Sequence, residues 1–382
     1  MSDARLLEVF ALTKALVDIP SASRDVAQCR VCLSFIQEYF AGTAWHLTPI
    51  AKSPSASPML YISSKPWPAS GSGAKPFSKV LILGHVDVVP MATYGIEGEP
   101  TGVIRGRGVS DMKGPVAALM HLLKSLNPAN LDLAMLVVTD EEIGGIDGAK
   151  FAFADAEGPH ISCDMCLCPD GGDNFKLVTH EKGVFRIELT ASGKSAHSAY
   201  PWNGDNAVLT LIDEIGRVGS IQHDGKPVFD NVGPQWHSTC VPTIIQGGQV
   251  INQVPGSASA KIDMRFTETW TLDTLKTVVF GALASSPNAS KIRAEVVFEQ
   301  PMLLCPPELP CMIATKKVME DHVHHDVEYS RGHGTSDGHW ADFPVVMFKP
   351  IGGGLHQDDE WVDFPSILTF YDICADVIKL FA

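Results

Sequence analysis

Four short apolar runs in this 382-residue chain each lead into side chains of the metal-ligand type. Val80–Gly84 runs into His85 and Asp87. Leu133–Thr139 runs into Asp140, Glu141 and Glu142, and Met165–Pro169 into Asp170. Val345–Phe348 runs, through a glycine turn, toward His356. Imidazole and carboxylate donors gathered in this way suit Zn²⁺ or a similar divalent ion.

Such runs, apolar throughout, read as strands buried on both faces of a parallel sheet. In open α/β sheets the crevice beyond the carboxyl ends of the strands is where ligands bind, so four strand ends would bring these side chains to one place. Two helical patterns, Leu6 to Val17 and residues 25 to 40, precede a Pro/Gly/Ser loop at residues 65 to 78. From there to residue 180 strand and helix patterns alternate, the signature of βαβ units. The middle of the chain changes rhythm. Strands are expected at Val184–Thr190, Thr239–Ile245, Ala258–Phe266 and Ile292–Phe298, with helices at Ala207–Val218 and Leu272–Leu283. That β-α-β-β-α-β order is the ferredoxin-like pattern. The expectation is an α+β lid at residues 182–301 inserted into a catalytic domain formed by residues 1–181 and 302–382.

Composition excludes several classes. Charged residues are 19% and hydrophobic ones 45%, which is globular. The net charge of −15 argues against nucleic-acid binding, which needs a basic footprint. No apolar run approaches the ~20 residues of a membrane span, and the N-terminus lacks a signal-peptide core. A cytoplasmic location away from membranes is the expectation. Nine cysteines at irregular spacing read as buried thiols, not a disulfide scaffold or zinc ribbon.

Five motifs carry a family resemblance: Gly84-His85-Val86-Asp87, the run from Gly106 to Gly114 containing Ser110-Asp111-Met112-Lys113, Asp140-Glu141-Glu142, Pro169-Asp170, and His356. Together they resemble the M20 metallopeptidases, among them acetylornithine deacetylases, succinyl-diaminopimelate desuccinylases, aminoacylases and glutamate carboxypeptidases. Taken singly, Asp87 or Asp111 fits a cap or turn, Asp140 to Glu142 a charged helix start, and His356 a loop histidine. Their conjunction in the family's order favours the metal reading. The resemblance implies a zinc-peptidase-like α/β fold, a mixed sheet flanked by helices, and two Zn²⁺ ions, with Co²⁺ or Mn²⁺ as alternatives. His85 and Asp170 would hold one ion, Glu142 and His356 the other, and Asp111 would bridge them. Glu141 would be the general base, and Asp87 would fix the tautomer of His85. His322-Val323-His324-His325-Asp326 fits no motif and reads as a solvated turn.

The same resemblance extends to the lid. His197, in Gly193-Lys194-Ser195-Ala196-His197, would stabilise the oxyanion, in dimeric members from the partner subunit. Arg265 would bind the substrate carboxylate bidentately. Asn252 and the Thr335-Ser336 pair would contact substrate. Lys182 stands where desuccinylases are expected to have a substrate-binding Arg, and Tyr94 where many have Trp. These departures leave the acyl group, and the choice between deacylase and peptidase, open. The expected enzyme is an amidohydrolase acting on an N-acyl amino acid or short peptide, assembled as a homodimer. A carboxylate-binding protein without catalysis is the rival from another class.

Overall fold

The computed structural model describes residues 4–382. Contacts divide the chain into two units. The first runs up to His180 and resumes at Leu304–Gly332 and Ser336–Ala382, while the second comprises Glu181–Leu303 and His333–Thr335.

In the first unit a six-stranded sheet has the spatial order His46–Ile50, Met59–Ser63, Leu133–Val138, Phe77–His85, Ser162–Leu167, Val345–Val346. Its last four strands are parallel, and the first two add to the edge antiparallel. The four apolar runs are thus parallel to one another, as expected, and the two added strands make the sheet mixed. Leu133–Val138 is buried at every position, as a strand covered on both faces must be. Its register sets His85 opposite Val138, so Asp140 to Glu142 emerge beside His85 to Asp87. Ile82 and Val346 both pair with Leu167, three residues before Asp170. The carboxyl ends of these strands thus open at the same level.

The run at Val345–Phe348 is strand only over Val345–Val346. The chain then turns through Gly352–Gly353, which pairs antiparallel with Trp361–Asp363, and His356 lies in the connecting loop. A two-residue strand suffices because it needs to match only Cys166 and Leu167 at the sheet edge. The helices Ala4–Val17, Lys113–Ser125 and Phe364–Phe381 belong to one apolar core with the sheet, contributing Val9, Leu16, Val116, Leu119, Phe370 and Val377. All nine cysteines are buried and none of them is in a disulfide. No helix among the described residues is long and apolar enough to cross a membrane.

The second unit is a four-stranded antiparallel sheet in the order Thr239–Gly247, Ser257–Phe266, Gly183–Ser192, Ile292–Gln300. Helices Ala207–Gly219 and Leu272–Ala284 complete the split β-α-β arrangement. Asn206 caps the first, accepting from the N–H groups of Val208 and Leu209. Thr271 and Thr274 form a reciprocal cap on the second. Alternation along the strands buries Phe185, Ile187, Leu189, Ile262, Met264 and Phe266 in a separate core with the helices. Arg186, Asp263 and Arg265 occupy the intervening positions and remain partly exposed.

Candidate metal centre

His85 ends its strand fully buried. Its Nδ1 lies 2.9 Å from the backbone oxygen of Asp87, while the Asp87 carboxylate is 3.6 Å away. The main-chain carbonyl of Asp87 is thus the nearer partner of the ring, with the carboxylate of the same residue beside it. A hydrogen bond to that carbonyl places a proton on Nδ1 and leaves Nε2 turned toward Asp111 and Asp170. The Asp87 carboxylate does other work. It accepts the backbone N–H groups of Glu141 (3.2 Å) and Glu142 (3.3 Å) and the Ser23 hydroxyl (2.8 Å). It thereby pins the turn that carries both glutamates.

That turn is a single 3₁₀ turn, Glu141–Ile143, closed by Gly144 at φ 105°. The left-handed conformation there suits glycine because a Cβ would clash. Leaving the strand for a turn frees the two neighbours from pointing to opposite faces, so both glutamates serve one crevice.

His85 Nε2 sits 3.2 Å from Asp111 Oδ1 and 3.8 Å from Asp170 Oδ1. His356 Nε2 sits 3.5 Å from Asp111 Oδ2 and 2.9 Å from Glu142 Oε2. These are two sets of three donors, His85–Asp111–Asp170 and Asp111–Glu142–His356, each with its ligand atoms within 4.8 Å of one another. Asp111 belongs to both and turns one oxygen to each. Glu141 belongs to neither, although its Oε2 comes within 4.0 Å of His85 Nε2.

The electrostatics fit cations at this place. Burial, reinforced by Asp111, pushes Asp170 up to about 7. Burial and the charge of Asp170 push Glu141 well above the usual carboxylate range. Hydrogen bonds to Asp111 and Glu142 raise His356 to about 10. Burial opposes a charge on His85, yet bonds to Asp111, Asp170 and Asp87 hold its pKa well above 6.5. Crowded, desolvated carboxylates of this kind are stabilised by a nearby positive charge. The donor set of two imidazoles and three carboxylates is that of a borderline divalent ion.

The match to the family described as Peptidase family M20/M25/M40 spans residues 81–380. The chain belongs to this family. Among sequence relatives of this M20 protein, a succinyl-diaminopimelate desuccinylase of Maricaulis maris is 28% identical over 322 residues, covering 78% of this chain and 80% of that one. A protein of Emericella nidulans named "probable carboxypeptidase" is 29% identical over 303 residues, 73% of this chain and 68% of that one. In three dimensions the chain resembles an M20 family metallo-carboxypeptidase of Sulfolobus solfataricus, with TM-score 0.75 and 16% identity over 99% of both chains. M20 proteins are metallohydrolases, and the fold of this one is the family's: a mixed central sheet with helices and a separate antiparallel lid sheet.

The remaining expected residues of this M20 protein lie mainly in the second unit. His197 is exposed, and its Nδ1 accepts the Ala199 N–H at 3.0 Å. The strand pair Ala196–His197 and Gln253–Val254 brings it beside Asn252, whose carbonyl accepts the Ser198 N–H at 3.0 Å. Arg265 is held by Asp263, Nε to Oδ1 at 2.7 Å and Nη2 to Oδ2 at 3.4 Å. Lys182 is buried with its ammonium 5.6 Å from the centre of the Trp236 ring, and burial, helped by Arg265, lowers its pKa. Thr335 groups with the second unit, while buried Ser336 belongs to the first and donates to the Met347 sulfur at 3.7 Å.

Two contributors to the M20 centre escaped the reading of the sequence. Ser23 steadies the Asp87 carboxylate, and a lone serine after a helix carries no signal of this. Glu360 is almost fully buried and accepts the N–H groups of Gly108, Ser110 and Asp111 at 2.9–3.0 Å. It also pairs with Arg107 Nη1 at 2.9 Å. Its place four residues after His356 was visible in the sequence, but its partners lie some 250 residues away.

Proposed function

We propose that the protein is a dinuclear metal amidohydrolase that cleaves the amide bond of an N-acyl amino acid or a similar small carboxylate substrate. The observation that carries the reading is the sharing of Asp111 between two donor sets, with Glu141 beside them and in neither. His85, Asp170, Glu142 and His356 would hold two Zn²⁺, Co²⁺ or Mn²⁺ ions, with Asp111 shared between them. When bound, two such ions would supply polarisation of the amide carbonyl and a more acidic attacking water.

The chain's own residues supply the rest. Glu141 takes a proton from the water as its oxygen adds to the amide carbon. It returns that proton to the nitrogen as the C–N bond breaks, leaving a carboxylate and a free amine. Its burial among carboxylates raises its basicity, which suits both steps. Asp87 holds Glu141 by its main chain and so keeps the base aimed while its side chain gains and loses the proton. His197 is assigned to the oxyanion and Arg265 to the substrate carboxylate. Because Asp263 engages Nε and Nη2, the carboxylate meets Arg265 from its Nη1 end. Asn252, Thr335, Ser336 and Lys182 are assigned to the substrate's remaining polar groups.

Assembly as a homodimer through the lid is supported by exposed apolar side chains there. Val241, Ile244 and Ile245 lie on the sheet-edge strand Thr239–Gly247, and Leu209 and Ile212 on the helix packed beside it. An unpaired edge with an apolar patch is a ready pairing surface.

The alternative substrate is a dipeptide or the C-terminal bond of a short peptide, cleaved by the same chemistry. The name of the Emericella relative favours it. Hydrolysis of N-succinyl and N-acetyl amino acids is to be compared with dipeptides in the presence of Zn²⁺. Turnover of the acyl amino acids, at least tenfold above any dipeptide, is the expected result. The reverse order would transfer the assignment to a peptidase, and no hydrolysis in either set would remove the catalytic reading.

A further inference from the structure

We infer that Glu360 is a positioning residue that clips the His356 loop to the Asp111 loop and so builds the second of the two metal sites. The inference rests on the dinuclear reading above. Its observation is separate: one buried carboxylate that accepts three backbone N–H groups of the opposite loop and pairs with its Arg107.

His85, Asp170 and Glu142 are each positioned locally. His85 ends a strand paired on both sides, Asp170 follows its neighbour in the same sheet, and Glu142 is pinned by Asp87. His356 has no such support. It lies in the loop between Gly352–Gly353 and Trp361–Asp363, and its backbone is left-handed at φ 61°. A non-glycine residue in that region persists only where its surroundings hold it. Within the loop the Gln357 N–H donates to the Gly354 carbonyl and closes the turn.

The hold comes from residues 106 to 111. The Glu360 carboxylate accepts the N–H groups of Gly108, Ser110 and Asp111 and pairs with Arg107. Arg107 Nη2 also donates to the Gln357 carbonyl at 3.1 Å, and the Gly106 N–H to the Glu360 carbonyl at 3.0 Å. Both ends of the loop after His356 are therefore fastened to the segment that carries Asp111. Charge-assisted bonds with the carboxylate buried are the strong kind and have fixed geometry. They hold His356 Nε2 at 3.5 Å from Asp111 Oδ2.

Glu360→Gln tests this because it keeps the shape and one acceptor oxygen. Its amide nitrogen would then face backbone donors and could not accept from them. The full chain, stripped of metal, is titrated with Zn²⁺ by calorimetry and with Co²⁺ by visible absorption. Two ions per chain are expected on the wild type. In the variant the first ion should bind as before, and the second about 10–100-fold more weakly, the size of loss seen when a partner of a metal ligand is removed. The Co²⁺ spectrum should lose the component of the second site, and activity should return as Zn²⁺ is raised. A purely structural role would instead lower thermal stability with both affinities unchanged, and that result overturns the inference. Undiminished binding of two ions by a folded variant does the same. Should Glu360→Gln fail to fold, Arg107→Lys removes the bond to Gln357 and keeps the cation. It should weaken the second ion alone, and unchanged binding there overturns the inference. Fewer than two ions on the wild type would overturn the dinuclear reading itself.

Discussion

The metal centre and the lid face use polar side chains in opposite ways. In the first unit the side chains of His85, Asp111, Asp170 and Glu142 are buried or nearly so, while that of His356 is exposed, and two of the anchors involve main-chain groups: His85 is held by the Asp87 carbonyl, and the Glu141–Glu142 turn by the Asp87 carboxylate. In the lid His197 is exposed, and Arg265 and Arg186 share Asp263 on an open sheet face. Burying several carboxylates is costly unless a cation joins them, so the first region is committed to one task. Exposed groups carry no such cost and are free to meet a substrate. The contrast teaches that most of the clustered donors are kept from solvent and tied to backbone groups, while His197 and Arg265 keep access to it.

Removing the shared ligand tests the committed region most severely. Asp111→Ala takes a donor from both sets at once, so metal analysis should find both sites depleted and hydrolysis abolished. His356→Ala takes a donor from one set and should spare the first ion. Equal loss of both ions in His356→Ala would break the picture of two sets joined by one residue.

Glu141→Gln separates proton transfer from metal binding within the same region. Turnover should fall ~10²–10⁴-fold, the worth of a general base, with two ions retained. Empty metal sites in a folded Glu141→Gln protein would exchange the roles of Glu141 and Glu142.

The lid predicts a smaller effect without metal loss. His197→Ala should cost roughly 10²–10³-fold in turnover, the worth of one oxyanion donor. If the residue acts across a dimer, mixing it with Glu141→Gln subunits should restore activity. After verified subunit exchange, no recovery would assign His197 to its own subunit.

The smallest effect is a count of protons. Hydrogen-bonded carboxylates keep His356 protonated up to about pH 10 and His85 protonated well above 6.5, and Asp170 takes up a proton below about 7. Ligation needs these groups deprotonated, so metal uptake at pH 7 should release protons, and affinity should rise with pH. Calorimetry in buffers of different ionisation enthalpy reads the number directly. Uptake without proton release would mean that the two imidazoles are already neutral.

The cluster of donor-type side chains was legible in the sequence because strands buried on both faces are written as apolar runs, and the residues just past such a run must emerge at a sheet edge. His85, Glu142 and Asp170 follow that rule, and so do the two helices and four strands of the lid, each marked by its own period. The position of His356 was legible from its motif, but not the loop that presents it, since only Val345–Val346 of its run is strand. That the Asp87 carbonyl lies nearer the His85 ring than the Asp87 carboxylate was not legible, because the two groups of one residue look alike in one dimension. Glu360 shows the limit most plainly. A carboxylate gains its meaning from the donors around it, and its donors at Gly108, Ser110 and Asp111 come from a segment about 250 residues earlier. Local pattern determined which elements form and which donors stand at their ends. Only the tertiary structure decided which backbone groups hold those donors still, because such bonds join segments that no period or motif connects.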